Sequence, residues 1–151
     1  MRKGGFGMKG KIVAITVLAG LLLSLSPAWA HETKIVGNKF RLIVGFVREP
    51  VFTSERNGLD LIVRRHTDAA PPVENLERSV SAIVISPDGR TARPLKLRPQ
   101  FGRPGYYTDD VILTQPGVYK IRIFGTIEDV NFDEMFESHE VRRLEELRFP
   151  G

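Results

Sequence analysis

The 151-residue chain carries 22 Lys and Arg against 18 Asp and Glu, with three His and no Cys. Its excess positive charge is local: Arg2, Lys3, Lys9 and Lys11 precede an apolar run over 12–25, and without those four the basic and acidic side chains balance. A balanced domain has no chain-wide attraction for nucleic acid or an anionic membrane, and the absence of Cys excludes disulfide staples and thiol chemistry.

The basic head, the apolar run and the small-x-small site Ala28-Trp29-Ala30 are the three parts of a secretory signal. They predict a helical signal peptide over 1–30, cut after Ala30 with Ala28 and Ala30 as the small residues of the cleavage site, and a mature chain that begins at His31. The run is shorter than the roughly 18 residues that cross a bilayer, and no second one follows. The expectation is therefore no membrane span after cleavage and an extracytoplasmic product in the periplasm, at the cell surface or secreted. Residues 31–151 suffice for one packed core and not for two.

Within that domain apolar residues alternate with a period of two in short runs, which is strand patterning. The first run places Phe40, Leu42, Val44 and Phe46 on one face and ends at Glu49-Pro50. Asn57-Gly58 opens the second, with Leu59, Leu61 and Val63. The run 80–85 is almost wholly apolar, as for a strand covered on both faces. Pro87-Asp88-Gly89 has turn chemistry, so 91–97 should pair back as a hairpin. Runs over 107–114 and 118–127 follow, then a tight turn at Glu128-Asp129 and a run over 130–138 that buries Phe132 and Phe136. In the tail, 139–147, Val141, Leu144 and Leu147 have the spacing of a helical turn or two. Seven runs predict an all-β fold, an antiparallel two-sheet immunoglobulin-like sandwich of about seven strands. Tyr119, just after Pro116-Gly117, fits either a tyrosine corner or a plain core position.

Several blocks resemble the exported YtkA-like family of the FixH/YtkA group. They are Val44-Gly45-Phe46 with Glu49-Pro50, Asn57-Gly58-Leu59-Asp60-Leu61, and Pro72-Val73-Glu74-Asn75-Leu76-Glu77. Further on come Leu97-Arg98-Pro99 with Phe101-Gly102-Arg103-Pro104-Gly105-Tyr106, Pro116-Gly117-Val118-Tyr119, Phe124-Gly125-Thr126-Ile127-Glu128, Asp133-Glu134-Met135-Phe136 and Leu147-Arg148-Phe149-Pro150. The resemblance implies an extracytoplasmic immunoglobulin-like domain, in a family without a defined activity. Similar proteins often begin the mature domain with Ala-His-Glu, as Ala30-His31-Glu32 does here.

Cleavage after Ala30 would give His31 a free α-amino group beside its imidazole, a pair that chelates one copper ion through the amine and Nδ1. His66 and His139 are the candidate second imidazoles. Met135 suits Cu(I), and Asp133, Glu137 or Glu32 could give Cu(II) an oxygen. Arg64 and Arg65 make a repulsive neighbourhood at His66. No Gly-x-Ser-x-Gly elbow, phosphate loop or His-Glu-x-x-His pattern is present, and the adjacent carboxylates Asp109-Asp110 and Asp133-Glu134 point to opposite strand faces. Phe101, Tyr106 and Tyr107 flank a Gly/Pro loop that either plugs the sandwich end or meets a partner. The first reading is an exported, non-enzymatic binding or accessory domain of the cell envelope that shows an edge strand or end loop to another envelope or membrane protein. The alternative is an extracytoplasmic copper-binding carrier built on His31. An oxidative copper enzyme is the third reading.

Overall fold

In the strand Arg56–Arg65 Leu59, Leu61 and Val63 are fully buried while Asp60 and Ile62 alternate with them, and the same period of two runs through its neighbours. The computed structural model describes residue 1 and residues 31–150; the predicted signal peptide, with Ala28 and Ala30, lies outside the described residues apart from Met1. Its strands in chain order are β1 (His31–Val36), β2 (Phe40–Phe46), β3 (Arg56–Arg65), β4 (Val80–Ile85), β5 (Ala92–Leu95), β6 (Arg98–Pro99), β7 (Tyr106–Thr108), β8 (Asp110–Ile112), β9 (Gly117–Ile127) and β10 (Val130–Val141). One layer runs β1-β2-β3-β7-β6, with β8 also on β3; the other runs β10-β9-β4-β5.

Every strand pairing is antiparallel. Setting β1 aside, β2-β3-β7-β6 facing β10-β9-β4-β5 reproduces the A-B-E-D and G-F-C arrangement of immunoglobulin sandwiches, with one extra strand on the second layer. The core between the layers takes Leu42, Val44, Phe46, Leu59, Leu61 and Val63 from one side and Ala82, Val84, Ile121, Ile123 and Phe136 from the other. Tyr119 forms the corner: its hydroxyl donates to the Gln115 carbonyl (3.0 Å) and accepts from the Gln115 amide (3.1 Å).

Differences from the expected strands have local causes. β1 was not expected, because His31, Glu32, Thr33 and Lys34 carry polar side chains on both faces. The strand expected over 107–114 divides at Asp109, whose carboxylate accepts from the Lys96 amide (2.9 Å) and Arg98 Nη1 (3.0 Å) while its carbonyl accepts from the Leu59 amide (3.0 Å). β4 is covered on one face only, with Val80, Ala82 and Val84 buried and Ser81 exposed. β10 runs on through Val141, so only the 3-10 turn Leu144–Leu147 remains of the helical tail.

β1 and β10 are the edges of different layers, and side chains join them. Lys34 Nζ donates to the Met135 carbonyl (2.6 Å), and a Glu32 carboxylate oxygen accepts from the Glu137 amide (2.6 Å). That seam brings the start of β1 to one end of the sandwich together with the segment after β2, which crosses over: the Thr53 amide donates to Arg142 and the Arg142 amide to Val51.

Candidate functional site

His31, Gly45 and Asp60 stand in register across β1, β2 and β3 on the outer face of the first layer. Directly opposed residues share a face, and Gly45 has no side chain, so the lane between the other two is open. His31 Nε2 reaches Asp60 Oδ2 at 3.2 Å. The other carboxylate oxygen, Oδ1, accepts from Gln100 Nε2 at 2.8 Å, and Gln100 Oε1 in turn accepts from Arg103 Nη1 at 2.7 Å. Asp60 is thereby buried at 7% exposure although it faces away from the core.

Glu49 lies three residues past the end of β2, beyond the Gly45 partner of His31. Among the described residues its Oε1 is buried without a hydrogen-bond partner. Burial pushes the Glu49 carboxyl above its ordinary pKa, while the charges of His139 and His31 and a hydrogen bond to the Phe46 backbone act in the opposite direction. The charges of both imidazoles thus reach this half-buried carboxyl. A buried acceptor with no donor normally costs free energy, and a bound cation would relieve it.

His31 and His139 both act on the Glu49 carboxyl through their charge, whereas His66 and Met135 stand apart from them. Arg65, the residue before His66, pairs with Phe40, at the opposite end of β2 from the Gly45 partner of His31, about 20 Å away at strand rise. The Arg41 guanidinium also lies 3.4 Å from His66 Nδ1, against a bound cation. Met135 is four strand residues from His139, about 13 Å. Among the expected oxygen donors, Asp133 is held by Arg122 (2.8 Å) and Glu32 by the Glu137 amide. Sequence reasoning missed Glu49, Asp60 and Gln100 as site residues, because only strand register and the crossover put them beside His31. Among the described residues no three His, Asp or Glu side chains form a ready metal cage, so a metal here also needs the main-chain nitrogen of His31.

The aromatic loop divides likewise. Phe101 is fully exposed, so the loop does not plug the sandwich with it. Tyr106 is half-buried with the Arg103 guanidinium 3.8 Å from its ring centre. Tyr107 points into the core at 1% exposure and offers no partner surface, because its period-two position on β7 faces inward. Beside Phe101 a groove of about 580 Å³ is lined by Arg48, Arg56, Arg98 and Asp110 among others.

Fold and site together define a two-layer immunoglobulin-type sandwich with a histidine at the start of its first strand and a polar cluster around it. No family model matches the chain, and no curated protein does. Among solved structures it is similar to a DUF4426 family protein from Pseudomonas aeruginosa PAO1, at a TM-score of 0.50 and 13% identity over 75% of this chain and 95% of that one. At that identity the likeness concerns the fold. Among the described residues no helix is long and apolar enough to cross a membrane.

Proposed function

We propose that the protein is an exported, non-enzymatic binding domain of the YtkA-like kind, and that its ligand is a copper ion at the mature amino terminus. The observation that supports this is the Glu49 oxygen that is buried without a hydrogen-bond partner among the described residues, on a carboxyl that the charges of His31 and His139 both reach. With the leader removed, the α-amine and His31 Nδ1 would supply a chelating nitrogen pair; His139 and Glu49, which do not form a ready cage with His31, would have to close on the ion to add a third nitrogen and an oxygen, a donor set suited to Cu(II). Export is part of the same reading, since the amine exists only after cleavage.

Titration of the mature chain beginning at His31 with Cu(II) tests it. One-to-one binding is expected, and one extra residue before His31 should abolish it; saturation unaffected by the extension would refute the reading. A second reading, docking to an envelope protein, is favoured by Phe101, which stands bare beside the arginine-lined groove. A photocrosslinker at position 101 should then yield one defined adduct in cells, and its absence would count against docking at this loop.

A further inference from the structure

We infer that Asp60 and Gln100 are positioning residues that hold the neutral His31 ring as its Nε2–H tautomer, leaving Nδ1 bare on the side of the residue's own main-chain nitrogen. The use of that arrangement rests on the copper reading above, but its geometry does not. The reasoning follows donor polarity along a chain of four side chains. A guanidinium has no acceptor, so the atom 2.7 Å from Arg103 Nη1 must be the Gln100 oxygen. That fixes the Gln100 amide, turning its NH₂ toward Asp60 Oδ1 at 2.8 Å. As a carboxylate, Asp60 only accepts, so at its other oxygen, 3.2 Å away, His31 Nε2 must be the donor. A neutral imidazole carries one N–H, so Nδ1 keeps its lone pair.

Fixing one ring nitrogen through a carboxylate so that the other can bind is how outer groups commonly orient a ligating histidine. Here the anchor of the chain belongs to the 99–106 loop. Arg103 lies against the Tyr106 ring, and the main-chain N–H of Gln100 donates to the Tyr106 carbonyl (2.9 Å). Gly105 binds the loop to β3 at a positive φ of 76°, its carbonyl accepting from the Val63 amide; an added side chain there would meet Pro72 and the Val63 carbonyl at 2.8 Å. The exposed Phe101 sits between Gln100 and Arg103, so the surface loop and the His31 ring share one hydrogen-bonded path.

The test is long-range ¹⁵N–¹H correlation of the histidine rings in the metal-free mature protein. The wild type should show His31 protonated at Nε2 and bare at Nδ1. In Asp60→Asn the new amide oxygen satisfies Gln100 and its NH₂ faces the ring, so the tautomer should invert to Nδ1–H; Gln100→Ala should give a mixture. The signals of His139 and His66 should not move in either variant, which separates positioning from loss of fold. A wild-type ring protonated at Nδ1, or an Asp60→Asn ring unchanged from wild type, overturns the inference. Cu(II) titration of the same samples examines the function separately: Asp60→Asn should bind about 10- to 100-fold more weakly. If the tautomer inverts as expected while neither protein binds copper, the positioning stands and the copper reading falls.

Discussion

The Tyr107 hydroxyl donates to the Val73 carbonyl at 2.7 Å and accepts from the Leu76 amide at 3.3 Å, so one buried phenol ties down the 73–76 loop that leads toward β4. Tyr107→Phe leaves both backbone groups without that partner and should cost about 1–3 kcal/mol in urea unfolding at pH 7. The pH dependence has a definite sign. Burial, with the negative charges of Glu77 and Glu74, raises the phenol above its ordinary value of 10.0, although the Leu76 bond lowers it. The native state therefore holds the proton that the unfolded chain releases first, and stability is lost as pH rises through 10 toward the folded value. Tyr107→Phe lacks that loss, so the gap between the two proteins should narrow above pH 10; a gap that widens there would show that the phenolate is favoured by folding.

Between elements, the β1–β10 seam does what backbone pairing does within a layer. Glu32 accepts from the Glu137 amide on an edge that has no neighbouring strand, and Lys34 caps the Met135 carbonyl, which also blunts both edges against pairing with other chains. In Glu32→Ala the Glu137 amide should exchange about five- to tenfold faster, the equivalent of ~1 kcal/mol, while amides at the β4–β9 ladder keep their rates. The seam also marks where the sequence stops being informative. Strands with one buried face, such as β3 and β9, advertise themselves by alternation, and the Pro87-Asp88-Gly89 and Glu128-Asp129 turns by their chemistry. β1 does not: its backbone pairs with β2, but Glu32 and Lys34, polar side chains that read as solvent-facing, serve backbone groups a hundred residues away. For the same reason His31 and His139 were legible as residue types while Glu49, Asp60 and Gln100 were not. Asp60 looks like the outward residue of any alternating strand until the His31–Gly45–Asp60 register is known.

Over the whole molecule, stability rests on one disulfide-free core shared by two layers, so unfolding should be a single cooperative transition that reductant leaves unchanged. The donors proposed for copper are scattered over that fold: His31 opens β1, Glu49 lies on the crossover from β2, and His139 lies at the irregularity of β10 between Glu137 and Glu140. Only a folded chain could gather them on one ion. An amine and imidazole on His31 alone, by contrast, chelate equally in the unfolded chain, and a ligand with equal affinity for both states shifts nothing. Thermal melting therefore distinguishes a site from a sticky terminus. With free Cu(II) at about 100 times Kd, binding restricted to the folded state adds roughly 2.7 kcal/mol, which raises Tm on the order of 10 °C for a domain of this size. His139→Ala and Glu49→Gln should each remove most of that rise while leaving the metal-free melting transition cooperative. A Tm that does not move in the wild type, despite one-to-one binding in solution, would place the copper on the terminal residue by itself and deny the sandwich any part in holding it.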